Sequence, residues 1–196
     1  MIVVGLTGSL ASGKSQAAEV FKKLGAKILD ADQAARKLTK KGTPLYKAIV
    51  KIFGTGFLGK NRELDRRRLA WHVFARRREL KKLNILIHPG VIMQAYKEIE
   101  KQKDKKGLLV LDVPLLFESR MEKLVDVTVV VKSDVSKILE RAERKGVPRE
   151  LARKILATQW PVSKKAKLAD YVVDNNGSPA ELETQIRKIY GELNPF

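Results

Sequence analysis

The sequence contains no cysteine, and this absence removes several kinds of chemistry at once. Disulfides, thiolate metal sites and cysteine nucleophiles are all excluded, and a cysteine-free chain fits a reducing compartment. Aromatic residues make up only 6% of the chain, which leaves few rings on which nucleic-acid bases would stack. The N-terminal apolar run is too short for a signal or membrane segment. We therefore expect a cytoplasmic protein.

Acidic residues are scarce relative to basic ones. The chain has 40 Lys+Arg against 22 Asp+Glu, a net charge of +18. A protein surface with this excess of positive charge suits binding of either the phosphate backbone of a nucleic acid or small polyanionic substrates. Basic residues occur almost throughout, and no RRM, KH or zinc-finger signature accompanies them. We expect small anionic ligands and neither a nucleic acid nor a membrane as partner, while a nucleic-acid-binding protein stays open as the alternative.

The N-terminal stretch MIVVGLTGSLASGKSQ carries the most specific motif. Residues 8–15 match the phosphate-binding loop G-x-x-x-x-G-K-[ST]. A short apolar run comes before the motif and a segment with helical spacing follows it, as this loop requires. Gly8 and Gly13 permit backbone angles and close approaches that a Cβ would obstruct.

The chemistry of the loop explains its composition. The amides of residues 11 to 15 converge on phosphate oxygens at the start of a helix, where the helix dipole favours negative charge. Lys14 supplies a mobile positive charge for the β- and γ-phosphates, and the Ser15 hydroxyl is placed to ligate Mg²⁺. The motif predicts that the chain binds a nucleoside triphosphate.

Carboxylates follow two further predicted strands. Asp30 and Asp32 come after Lys27-Ile-Leu, and alternation along an extended backbone would point both side chains to one side. They would hold Mg²⁺ or take a proton from an attacking hydroxyl; alternatively, one of them only caps the next helix. Asp112 lies near the end of a predicted strand over residues 108–117, a Walker-B-like position for reaching Mg²⁺.

Strands alternate with helices along the chain, which predicts a parallel sheet covered on both faces. Residues 33–103 are helical and very basic, too long for a simple crossover, with a break expected at His88-Pro89. Arg141 and Arg144 lie at i, i+3 on a predicted helix, either to clamp transferring phosphates or as a solvated basic face. Ser178 with Glu181 predicts a capped C-terminal helix.

The ordered set of motifs resembles the dephospho-CoA kinase family along essentially the whole chain. The resemblance rests on GLTGSLASGKS, Asp30-Ala-Asp32, LDRRRLAWHVF (64–74), LNILIHPGV (83–91), VPLLFE (113–118), Gln159, the Lys164/Lys165 pair and ADYVVDNNGS (169–178). A phosphate loop alone is generic, but this ordered set is specific.

The resemblance implies a three-layer α/β P-loop kinase fold, with a parallel sheet flanked by helices. The core would comprise residues 1–32, 104–145 and 169–196, with a helical acceptor-binding insertion at 33–103 and a small lid at 146–168. It implies transfer of the ATP γ-phosphoryl group to the ribose 3′-hydroxyl of dephospho-CoA with Mg²⁺, by a monomer or small homo-oligomer. A nucleotide or nucleoside kinase of the same architecture is the nearer alternative.

The resemblance also assigns roles to individual residues. The catalytic residues would be Lys14, Asp32 as base or orienting carboxylate, and Arg141. ATP would be bound by Gly8, Ala11, Ser12, Gly13, Lys14, Ser15, Gln16, Arg144, Asn175 and Gly177. The acceptor would be bordered by Asp30, Asp32, His88, Pro89, Leu115 and Leu116, and the metal by Ser15 and Asp112, the latter directly or through water.

Three positions of the loop depart from the family's usual pattern. Ser9 and Ala11 stand where the family usually has glycine, and Gln16 stands where it has threonine. Ala11 would still permit the phosphate-binding conformation if its backbone angles stay ordinary. Arg141 and Arg144 are also spaced i, i+3, whereas the resemblance leads us to expect i, i+4 more often.

Overall fold

The computed structural model describes residues 1–194. Five strands, β1 to β5 in chain order, occupy Ile2–Gly8, Lys27–Asp30, Leu108–Asp112, Val127–Lys132 and Tyr171–Asp174. The helices of the described chain, α1 to α9, occupy Lys14–Lys23, Ala31–Leu38, Pro44–Phe53, Arg66–Phe74, Arg77–Gln102, Val135–Arg144, Arg149–Thr158, Val162–Leu168 and Pro179–Leu193. The chain divides into two compact units: the smaller one is Asp32–Gln94, and the larger one joins Met1–Ala31 to the chain from Ala95 onward.

The larger unit is built on one parallel sheet with strand order β2-β3-β1-β4-β5. This confirms the predicted α/β architecture. β1 lies at the centre, between β3 and β4, so the strand order reverses there. In open parallel sheets, ligands bind outside the carboxyl ends of the strands at such a reversal. The phosphate-loop motif follows β1 directly and therefore lies at this position.

The apolar strands explain why the sheet is covered by helices. All five residues of β3 are buried, as expected of a strand covered on both faces. On one face, α1 and α9 pack against the sheet through Phe21, Leu182 and Ile186, which are fully or almost fully buried. The predicted N-terminal cap of α9 is confirmed: Ser178 and Glu181 form a reciprocal capping box.

The smaller unit has its own apolar cluster. Ile49 of α3 and Leu69 and Val73 of α4 are buried and surrounded by partly buried apolar side chains from α3 to α5. Side-chain caps fix the starts of α3 and α4: Thr43 accepts from the Tyr46 amide, and Asp65 accepts from the Arg68 amide.

The expected break at His88-Pro89 is wrong. α5 runs without interruption from Arg77 to Gln102 with Pro89 inside it. A proline removes one amide donor and crowds the carbonyl four residues earlier, which here belongs to Ile85. Ile85 is 62% exposed, so this turn of the helix lies at the protein surface, where water is available to backbone groups. The helix therefore tolerates the proline.

Two further boundaries differ from prediction. β3 ends at Asp112 and not at residue 117, because Pro114 cannot donate to a sheet ladder. Asp32 does not continue an extended strand; it lies in the first turn of α2, immediately after β2 ends at Asp30. The expected alternation of Asp30 and Asp32 is therefore wrong. An acidic side chain in the first turn of a helix is favoured by the helix dipole.

No helix within residues 1–194 combines the length and apolarity needed to cross a bilayer.

Candidate active site

The carboxyl ends of the three strands β2, β3 and β1 bring charged groups together. Asp30 and Asp112 are register partners at the ends of β2 and β3, and Asp112 lies one strand from the phosphate loop that follows β1. Lys14 Nζ donates to Asp112 Oδ1 in an almost buried ion pair, with side-chain exposures of 12% and 5%. The structure thus joins the loop lysine to the predicted Walker-B-like carboxylate.

The two motif glycines are needed for close approaches. A Cβ on Gly13 would lie 1.8 Å from Asn175 Nδ2, and Gly13 has φ 104°. A Cβ on Gly8 would lie 2.6 Å from the Val131 carbonyl oxygen. Both contacts are far too short for a side chain, so the predicted steric reason for these glycines is confirmed.

Ala11 does not keep ordinary backbone angles. Its φ is 51°, in the left-handed region, where an L-residue loses about 1–2 kcal/mol relative to its usual conformations. The glycine usual at this position in the resembled family would adopt the same angle without that cost. The loop therefore holds its conformation against local strain. A turn bond inside the loop, from the Ser12 amide to the Ser9 carbonyl at 3.1 Å, and contacts from outside the loop stabilise it.

Three such contacts are present. Asn175 Nδ2 donates to the Ser12 carbonyl at 2.7 Å, and the Leu10 amide donates to Gln159 Oε1 at 3.1 Å. Leu10 and Ala11 also pack on an apolar cluster made by α6 and α7: Leu139, Ala142 and Ala152. The sequence identifies Gln159 only as a residue that matches a motif of the resembled family, and it carries no signal that Gln159 contacts the loop.

The two predicted clamp arginines have different surroundings. Arg141 donates to Ser133 Oγ at 3.2 Å and to the Asn175 carbonyl at 3.0 Å. Through Asn175 it is connected to the phosphate loop. Arg144 instead pairs with Glu140 at an exposed position. Gly177 packs against the carboxylate of Glu181, where a Cβ would lie 2.1 Å from Oε2.

The resemblance assigns six residues to the acceptor. Asp30, Leu115 and Leu116 belong to the larger unit, and Asp32, His88 and Pro89 to the smaller one. Leu116 is fully buried beneath Gly5, so it has no surface to offer a substrate. Leu115 is partly exposed.

His88 lies partly buried in α5, and burial lowers its pKa from the ordinary 6.5. The unfolded chain therefore binds more protons than the folded chain below about pH 6.5, and stability should fall as the pH drops through that range. We expect His88→Gln to flatten the decrease in unfolding free energy between pH 7.5 and 5.5, measured by urea denaturation. His72→Gln, which replaces the chain's other histidine, should retain the decrease; equal slopes in wild type and His88→Gln would contradict the prediction.

The described chain offers only a few oxygen ligands near the phosphate loop, which suits a metal ion that also binds the phosphates of a nucleotide. Within residues 1–194, no three His, Asp or Glu side chains come together as a metal cage. Ser15 in the first turn of α1 offers a hydroxyl, and Asp112 offers a carboxylate. Mg²⁺ in phosphoryl-transfer sites typically uses one or two such protein oxygens and takes the others from phosphates and water. The donor set therefore fits Mg²⁺.

Comparison with known proteins identifies the family. The family model described as dephospho-CoA kinase matches residues 2–181. The chain belongs to the dephospho-CoA kinase family. Among its relatives, dephospho-CoA kinase of Geobacillus kaustophilus is 42% identical over 96% of this chain and 94% of its own. Dephospho-CoA kinase of Aquifex aeolicus is 38% identical over 97% of this chain and 96% of its own.

Solved structures agree with this family assignment. Dephospho-CoA kinase from Campylobacter jejuni has a TM-score of 0.71 and 26% identity, covering 98% of this chain and 97% of that one. Shikimate kinase from Acinetobacter baumannii has a TM-score of 0.51 at 16% identity, covering 98% and 93%, and shows the shared P-loop kinase fold alone. The chain is an ATP-dependent kinase, and kinases of this kind use a divalent metal with ATP.

Proposed function

We propose that the chain transfers the γ-phosphoryl group of ATP to the ribose 3′-hydroxyl of dephospho-CoA, giving coenzyme A and ADP. The observation that carries the phosphoryl-transfer part is the grouping of Lys14, Asp112 and Asp30 at the carboxyl ends of adjacent strands. Family membership supports the choice of acceptor. In this reaction the hydroxyl oxygen bonds to the γ-phosphorus, the bond from that phosphorus to the bridging oxygen breaks, and ADP leaves.

On the nucleotide side, we propose that the phosphate loop binds the triphosphate. The amides of residues 11–15 and the Lys14 ammonium neutralise its charge, and Gly8, Gly13 and Gln16 belong to the same loop and helix start. Asn175 and Gly177 would border the adenine. Of the two arginines, we favour Arg141, because it reaches the phosphate loop through Asn175, whereas Arg144 pairs with Glu140 at the surface.

Mg²⁺ is the divalent ion we propose. Ser15 and Asp112 would hold it, and it would supply positive charge that neutralises the phosphates during transfer. The Lys14 ammonium lies beside Asp112, with which it forms an ion pair. We also propose that the enzyme acts in the cytoplasm, in line with the reducing compartment that a cysteine-free chain fits.

On the acceptor side, we propose Asp32 as the carboxylate that receives the hydroxyl proton. Asp32 lies at the start of α2, two residues after the strand-end Asp30. A carboxylate is a suitable base for a hydroxyl whose proton leaves as the oxygen attacks. Asp30, Leu115, His88 and Pro89 would border the acceptor, residues 33–103 would supply most of its binding surface, and residues 146–168 would form the lid.

A panel of acceptors tests the proposal. ADP release with Mg²⁺ and ATP would be measured with dephospho-CoA, a nucleoside, a nucleoside monophosphate and shikimate, each with and without EDTA. Of the four acceptors, we expect only dephospho-CoA to support ADP release. We expect EDTA to abolish this release. Turnover with a nucleoside or nucleotide and none with dephospho-CoA would contradict the acceptor. ATP hydrolysis that rises only when RNA is added would favour a nucleic-acid-dependent enzyme.

A further inference from the structure

The corner between α7 and α8, residues 159–161, contacts the phosphate loop from a distant part of the chain. Gln159 Oε1 accepts a hydrogen bond from the Leu10 amide at 3.1 Å, across 149 residues of sequence. Leu10 precedes the amides at residues 11–15 that face phosphate in loops of this type. The Leu10 amide is thus held by the protein itself, and Gln159 is the residue that holds it.

The backbone of this corner is itself anchored. The Gln159 amide donates to the Leu156 carbonyl at 3.2 Å, and the Trp160 amide donates to Glu118 Oε1 at 2.9 Å. Glu118 is in turn held by the fully buried Lys165, whose ammonium lies 2.8 Å from Glu118 Oε1 and 2.9 Å from the Pro114 carbonyl. Gln159 therefore projects its side chain from a fixed position, as a positioning residue requires.

The part of the loop that Gln159 holds is the strained part. Ala11 follows Leu10 directly and has φ 51°, a region that a residue with a Cβ occupies only when its surroundings enforce it. Inside the loop, the Ser12 amide donates to the Ser9 carbonyl at 3.1 Å and closes a turn around Leu10 and Ala11. From outside the loop, the hydrogen bond to Gln159 and the packing of Leu10 and Ala11 on the α6–α7 cluster hold the same turn. If the Leu10 amide were released, Ala11 would relax toward ordinary φ values. The amides of residues 11–15 would then turn away from their phosphate-binding directions.

We propose that Gln159 is a positioning residue for ATP: it keeps Ala11 in the left-handed region and so keeps the loop amides aimed at the phosphates. The inference rests on the proposed function only in taking ATP as the ligand, and it does not depend on the acceptor. Its distinctive consequence is a coupling between residues 159 and 11. Glycine occupies the left-handed region without strain, so a loop with glycine at position 11 needs Gln159 far less.

The coupling is measured by a double-mutant cycle on ATP affinity. ATP titrations by calorimetry with Mg²⁺ would compare wild type, Gln159→Met, Ala11→Gly and the double variant. Methionine keeps the size of glutamine but accepts no hydrogen bond of comparable strength. We expect Gln159→Met to weaken ATP binding by roughly tenfold in the wild-type background and by less than about threefold in the Ala11→Gly background.

Two controls separate positioning from general stability. Gln102→Met removes a buried glutamine of α5 that donates to Glu98 at 2.7 Å and should leave the ATP dissociation constant within about twofold. Gln159→Asn, too short to reach Leu10, should reproduce the effect of Gln159→Met and replaces it if the methionine variant does not fold.

Each outcome decides the inference. If Gln159→Met weakened ATP binding equally in both backgrounds, the effect of Gln159 would not depend on residue 11, and the inference would be overturned. Unchanged ATP binding in Gln159→Met would also overturn it. If the wild-type protein bound no ATP, both the proposed function and the role of Gln159 would be overturned. This failure would be detected in the wild-type titration, before any variant is compared.

Discussion

Asp32→Asn is expected to lower kcat with dephospho-CoA by at least about a hundredfold, because a positioned general base contributes roughly 10²–10⁴ to such a rate. Asparagine preserves the size of the side chain and its place in the first turn of α2, but it cannot receive the hydroxyl proton. Because Asp32 is not assigned to the ATP site, ATP affinity should stay close to that of wild type. Steady-state rates and ATP titrations on the same preparation measure both quantities.

A matched control removes one carboxylate elsewhere. Asp104 is exposed in the turn before β3, at the amino edge of the sheet, so Asp104→Asn should leave kcat within about twofold, as expected of surface changes. If Asp32→Asn retained most of the wild-type kcat, Asp32 would not be the base. If it lost ATP affinity as strongly as kcat, its role would lie in nucleotide binding.

Lys165→Met is expected to have the largest effect on stability, a loss of about 3–5 kcal/mol in unfolding free energy. Lys165 is fully buried and Glu118 nearly so, with side-chain exposures of 0% and 13%. Removing the ammonium leaves the Glu118 carboxylate inside the protein without its cation, and desolvation of an unpaired charge is costly. Urea denaturation monitored by circular dichroism measures the change.

Two further variants test this explanation. Glu118→Leu combined with Lys165→Met removes both charges and should be clearly less destabilising than Lys165→Met alone, because no unpaired charge stays buried. Lys103→Met breaks a pair with Glu100 whose side chains are 58% and 66% exposed, and it should cost less than about 1 kcal/mol. A loss from Lys165→Met as small as that from Lys103→Met would contradict the account.

The sequence predicted the parts of the site that depend on short stretches of chain. The phosphate loop and the capping box at Ser178 are each determined by neighbouring residues and by the strand–helix alternation. The same local reasoning was wrong at His88-Pro89. Proline usually ends a helix near the preceding residue, but α5 continues through Pro89. This reasoning was also wrong for Asp32, because α2 begins one residue after β2 ends.

The supports of the loop could not be predicted, because they join residues far apart in sequence. Asn175 reaches Ser12 across 163 residues and Gln159 reaches Leu10 across 149. The sequence also could not show which lysine of the 164/165 pair is buried, because Lys164 and Lys165 are adjacent and chemically identical. Lys164 lies over the Trp160 ring while Lys165 is enclosed beside Glu118. Only the packing of α8 distinguishes them.

The identity of the reaction product tests directly whether the chain phosphorylates the ribose 3′-hydroxyl of dephospho-CoA. Wild type, ATP, Mg²⁺ and dephospho-CoA would be incubated, and the product analysed by chromatography against authentic coenzyme A and by ³¹P NMR. We expect a product that co-elutes with coenzyme A and carries a phosphomonoester on the ribose 3′-oxygen, formed together with an equal amount of ADP. ADP formed without that product, or phosphate placed on another atom of dephospho-CoA, would contradict this expectation.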